Sequence, residues 1–146
     1  MSKGRIIVIG CREFHDQQVL RNITDWTLTN GRPELFKLMS VGKLDHYDIT
    51  TKPEKGDAVD ALRKHKDTIC VIALHLFGLD HDCSTYKNDL YCYTKENHKL
   101  LDMCLERNIP LICWGDQPFY KVPRHVKRMH LGGTTCHMYE RSETYE

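Results

Sequence analysis

Apolar positions along this chain follow two alternating rhythms. Short, nearly continuous apolar runs end at glycine or at polar clusters, and between them apolar residues recur every three or four positions. Runs of the first kind suit strands buried on both faces, and the second pattern suits amphipathic helices. Residues 5–10, RIIVIG, predict a buried strand ended by Gly10. Residues 15–29 predict a helix with Val19, Leu20, Ile23 and Trp26 on its apolar side, and Asn30-Gly31-Arg32-Pro33 supplies the turn chemistry that stops it. In residues 34–52 the rhythm is ambiguous. Leu35, Phe36, Leu38, Met39 and Val41 fit a strand or a short helix, and HYDITT reads as a second short strand. Pro53 to Lys66 predicts a helix with Ala58, Val59, Ala61 and Leu62 inward. TICVIALHLF, residues 68–77, predicts a central strand, and residues 88–107 a long helix with His98, Leu101, Cys104 and Leu105 on one face. IPLICWG, residues 109–115, is a further buried strand. After Gly115 the pattern loosens: Val122, Val126 and Met129 mark a short helix, LGGTT a turn, and the last residues a loose polar end.

Strands alternating with helices imply βαβ units and a mostly parallel sheet. The expected fold is therefore α/β, a Rossmann-like three-layer sandwich. No linker, repeat or low-complexity tract divides the 146 residues, so 1–146 reads as one domain with an irregular C-terminal extension from about 116.

Composition narrows the function classes. A net charge of +1 excludes a bulk polyanion binder. No apolar stretch reaches bilayer length and nothing resembles a signal peptide, so the expectation is a cytoplasmic protein without a membrane partner. The seven cysteines are odd in number and scattered, which argues for reduced thiols. Cys70, Cys104 and Cys113 sit in apolar contexts and are expected as small core residues.

Ligands of open parallel sheets sit beyond the carboxyl ends of the strands. Three segments follow apolar strands here: Gly10-Cys11-Arg12-Glu13, the loop with Asp80-His81-Asp82, and Gly115-Asp116. Gly10 and Cys11 would give backbone access, the N–H groups of the following helix would favour an anion, and Arg12 would hold a phosphate. The bland alternative is a tight turn whose arginine pairs with an acid.

The same segment, VIGCREFHD, resembles the opening of the SLOG superfamily, particularly its YspA-like branch. The pattern of strand, glycine, small residue, arginine, acid and aromatic falls on Gly10, Cys11, Arg12, Glu13 and Phe14, with Asp16 following. ENHKLLDMCLERNIPLI is similar in length and apolar pattern to the family's last helix and strand, with Glu96-Asn97 where family members carry Gly-Thr. EKGDAVDAL has Lys55-Gly56-Asp57 in place of the family's Arg-Gly-Ala-Asp run. The resemblance implies a Rossmann-like fold that binds a nucleotide or nucleotide-derived ligand at the strand ends.

Other features compete. Asp80 and Asp82 could hold Mg²⁺ through oxygen ligands, an arrangement similar to the D-x-D of Toprim nucleases with Glu13 as the further acid; alternatively they cap a solvated loop. Glu96 sits early in the long helix, where nucleoside deoxyribosyltransferase and TIR-like families place a glutamate that acts on the ribose carbon; alternatively it is a surface acid among Lys95, His98 and Lys99. Tyr91 and Tyr93 could stack on a base. His130, Cys136 and His137 lack the paired spacing of zinc sites, so no metal ligands are assigned. Lys121, Arg124, Lys127 and Arg128 form a basic strip over 121–130 that could meet nucleic acid, or simply be a solvated face. The expected function is binding of a nucleotide-like small molecule. The alternatives are a hydrolase of nucleotides, by N-glycosidic or Mg²⁺-dependent phosphoester cleavage, and a protein-interaction module with a closed pocket. Parallel-sheet proteins of this size often pair, so a homo-oligomer is compatible.

Overall fold

A computed structural model describes residues 4–9, 16–49, 57–73, 90–114, 126–130 and 136–141, with backbone alone at 46–49, 57, 90–97 and 126–130. β1 (Gly4–Ile9) leads to two helices, α1 (Gln17–Gly31) and α2 (Pro33–Ser40). Then come β2 (Leu44–Ile49), α3 (Asp57–Lys64), β3 (Thr68–Ala73), α4 (Leu90–Glu106) and β4 (Leu111–Trp114), followed by β5 (Val126–His130) and β6 (Cys136–Arg141). The strands form one sheet in the order β2-β1-β3-β4-β6-β5. The first four run parallel, whereas β6 is antiparallel to β4 and β5 to β6. The expected α/β three-layer arrangement with a mostly parallel sheet is thus present.

Alternation along each strand sorts the core into two clusters, one per sheet face. Ile6, Val8, Cys70, Ile72, Ile112, Cys136 and Met138 meet Leu20 and Leu28 of α1, with Leu35, Phe36 and Met39 of α2 packed at the margin. Ile7, Ile9, Val71, Ala73, Leu111, Cys113 and Tyr139 meet α3 and α4 through Val59, Leu62, Leu100, Leu101, Cys104 and Leu105. Because both faces of the central strands are covered, their sequences are apolar throughout, which is why they stand out as runs.

Local chemistry sets the helix ends. The Asp16 carboxylate accepts from the backbone N–H groups of Gln18 and Val19 at 2.9 and 3.1 Å, so α1 begins at Gln17. Pro33 opens α2, where its missing N–H costs nothing. Asn108 takes the left-handed conformation (φ 54°) just past α4, and the following Ile109 N–H returns to the Cys104 carbonyl at 2.7 Å. The Arg107 guanidinium donates to the carbonyls of Leu62 and His65, tying the end of α4 to the end of α3. Arg32, at the α1–α2 corner, pairs with Glu140 of β6 and fastens that helix layer to the antiparallel end of the sheet.

Several expectations change in detail. Residues 33–40 resolve their ambiguity as a helix. Val19 is 42 % exposed, and the inner face of α1 is Leu20, Thr24, Thr27 and Leu28. Leu100 joins the buried face of α4, while His98 is only half-buried. The short helix expected around Val122–Met129 is corrected: residues 126–130 are strand β5. The chain beyond about 116 is therefore not simply an irregular extension, since β5 and β6 complete the sheet. Among the described residues, no helix is long and apolar enough to cross a membrane.

Candidate functional site

The strand order reverses once in the parallel part of the sheet. From β1 the chain passes to β2 on one side, then to β3 on the other. α1 and α2, which follow β1, pack on the face of Ile6 and Val8, whereas α4, which follows β3, packs on the face of Ile7 and Ile9. The two connections diverge to opposite faces between β1 and β3, and this divergence is where open α/β sheets leave a ligand crevice. Register places the ends at a common level: Ile9 lies beside Ile49 and Ala73, Ala73 beside Cys113, and Trp114 beside Cys136.

Three of the segments singled out in the sequence follow these strand ends in the chain. Residues Gly10, Cys11, Arg12, Glu13 and Phe14 come after β1, Asp80 and Asp82 after β3, and Gly115 and Asp116 directly after β4. All nine lie outside the described residues, as do Tyr91 and Tyr93 in their side chains and the 121–125 part of the basic strip. Glu96 stands in the second turn of α4, with its backbone alone described.

One expectation at this edge is corrected by geometry. The amides at the start of the helix after β1 are not all available to an anion, because Asp16 already engages those of Gln18 and Val19. A carboxylate in that position also offsets the positive end of the helix dipole. Replacing Asp16 by alanine should lower stability by about 1 kcal/mol through loss of this cap, read as a shifted urea midpoint at unchanged slope. An unchanged midpoint would show that the cap contributes nothing in solution.

An aromatic pair at the end of β4, between Trp114 and Trp26 of α1, was not singled out as a site by sequence reasoning. Trp114 ends β4 half-buried, and its ring centroid lies 5.3 Å from that of the half-buried Trp26, at 55° between planes. The Trp114 Nε1–H donates to Thr27 Oγ1 at 3.1 Å, and the Thr27 hydroxyl donates to the Ile23 carbonyl at 2.6 Å. The signal in the sequence was their scarcity: these are the two tryptophans of the chain, and one directly precedes the Gly115-Asp116 segment.

The described cysteines are chemically quiet. Cys70, Cys104, Cys113 and Cys136 are free thiols buried in the core. Burial pushes the Cys70 and Cys136 thiols up to about 12, and pushes those of Cys104 and Cys113 upward as well. A thiol that stays protonated is neither a nucleophile nor a metal ligand at neutral pH, so these four serve packing. No family model, no curated protein and no solved structure matches this chain.

Proposed function

We propose that this protein binds a nucleotide or nucleotide-derived small molecule at the carboxyl edge of its sheet. The observation that carries the reading is the divergence of the chain between β1 and β3, which puts the two connections on opposite faces beside Ile9 and Ala73. Residues with phosphate-binding chemistry follow β1 at once, in Gly10, Cys11 and Arg12. The likeness of VIGCREFHD to the SLOG opening supports the same reading. In this proposal Arg12 supplies the charge for a phosphate, and the α1 terminus, already capped by Asp16, contributes little to it.

A thermal-shift screen of mononucleotides, cyclic nucleotides and dinucleotides, with and without Mg²⁺, tests this. A ligand present at a hundred times its Kd should stabilise the fold by about 2.7 kcal/mol, or roughly 5–10 °C in Tm for a domain of this size. Arg12→Ala should weaken the response by roughly tenfold to a hundredfold, the worth of a charge-assisted hydrogen bond. A flat response to every nucleotide rejects the binding function, and an Arg12→Ala variant that responds like its parent removes Arg12 from it.

A further inference from the structure

We infer that the Trp26–Trp114 pair is the base-stacking subsite for that ligand, an inference that rests on the nucleotide-binding reading above. The sheet passes abruptly from core to rim along β4. Leu111, Ile112 and Cys113 are fully buried, and the next residue, Trp114, is half-buried. Its neighbour across the sheet, Cys136, is also fully buried, so among the described residues Trp114 is where apolar surface first meets solvent at the carboxyl end of this strand. Trp114 packs against the core cluster with part of its indole and leaves the remainder to solvent, and stacking an aromatic ring on that remainder would bury it.

The pair is also held ready. The indole N–H of Trp114 is engaged by Thr27, itself fully buried and anchored to the Ile23 carbonyl. With its polar atom satisfied and its orientation fixed from α1, Trp114 keeps only apolar ring surface to offer, and little side-chain freedom is lost on binding. The 55° tilt between the rings means that neither indole lies flat on the other. β4 is the next strand after β3, so the tryptophan stands roughly 7 Å from the middle of the β1–β3 gap, taking about 4.8 Å per strand. A ligand with phosphate near β1 and an aromatic base toward β4 would span that interval. The ligand class is therefore one carrying both an anionic group and a planar heterocycle, and a sugar phosphate alone would fill half the site.

Since the chain has two tryptophans and both belong to the pair, its tryptophan emission reports on this subsite alone. The experiment titrates AMP, ribose 5-phosphate and every nucleotide that raises Tm into the protein, following emission and thermal shift in parallel. Stabilising nucleotides should quench the emission saturably, while ribose 5-phosphate leaves it unchanged. Trp114→Leu should weaken nucleotide binding by roughly fivefold to a hundredfold, the range for one stacked base, and Trp114→Phe should restore most of it. Should the leucine variant fail to fold, Trp26→Phe leaves Trp114 as the single reporter, and its emission must still be quenched. A nucleotide that stabilises the protein without altering emission, or binds the leucine variant as tightly as the parent, overturns the stacking subsite and leaves nucleotide binding intact. If no nucleotide stabilises the protein, both proposals fall.

Discussion

At pH 10 the protein is expected to be roughly 3 kcal/mol less stable than at pH 7 from the buried thiols of Cys70 and Cys136 alone, a large part of the whole stability of many small domains. The sign follows from the direction of the shifts. Cys70, Cys104, Cys113 and Cys136 have their titration moved upward, chiefly because burial strips water from the thiolate. In the folded chain they hold their protons to about pH 12 for Cys70 and Cys136, whereas in the unfolded chain each ionises near its ordinary value of 9.0. Above pH 9 the unfolded state therefore releases protons that the folded state retains. The contribution is fully present below the ordinary thiol range and is lost as pH rises, by roughly 1 to 2 kcal/mol at pH 10 for each of Cys70 and Cys136, and in the same direction for Cys104 and Cys113. Urea unfolding under reducing conditions at pH 7, 9 and 10 measures it. Each Cys→Ala substitution among the four should remove one tenfold factor in the unfolding constant per pH unit above 9. If the pH slope is the same after Cys70→Ala and Cys113→Ala, these thiols are not buried in solution as they are here.

Tyr139→Ala should cost about 3–5 kcal/mol, the range for emptying a fully buried aromatic site. Tyr139 is 1 % exposed, sits opposite Leu111 in the β4–β6 pair and packs into the cluster under α3 and α4. The substitution leaves a cavity between the sheet and the α4 layer that neighbours on a paired strand cannot close, since the ladder holds them in register. A melting point lower by roughly 8–20 °C is the expected result for a chain of this length. Val41→Ala, at a position 68 % exposed, is the matched surface control and should change stability by no more than about 0.5 kcal/mol. The contrast bears directly on the C-terminal strands. A mild effect at Tyr139 would mean that β6 is loosely attached, and a large one that the last two strands are integral to the fold.

Both results concern the frame on which the candidate ligand edge is built. The same sheet that buries Cys113 and Tyr139 holds Trp114 at the rim beside Cys136. Loss of β6 would remove that flank of β4, so a destabilised Tyr139→Ala variant should also lose the parent's tryptophan emission spectrum when it melts.

How much of this was legible in the chain follows from which positions are buried on two sides. β1, β3 and β4 could be read directly, because central parallel strands are apolar at every position and stop at polar or glycine-bearing segments. α1, α3 and α4 announced themselves by their spacing, although the apolar periodicity of α1 included Val19, which faces water, and missed the buried Thr24 and Thr27. Those threonines are inward because of what α1 lies upon. The hydroxyl of Thr27 is satisfied by its own helix and by Trp114, and such pairings between distant segments leave no trace in local pattern. VKRMH could not be recognised as β5: an outermost strand carries charge freely, and its pairing is a matter of backbone hydrogen bonds to β6.

The sequence by itself determined the alternation of strand and helix, the α/β class, and the glycine and arginine that follow the first strand. Only the tertiary structure decided the order of the strands, and with it the divergence between β1 and β3 and the meeting of Trp26 with Trp114. The physical reason is range. Period and propensity are properties of neighbouring residues, whereas strand order and the junction of two indoles from opposite ends of the chain arise from packing the finished elements against one another.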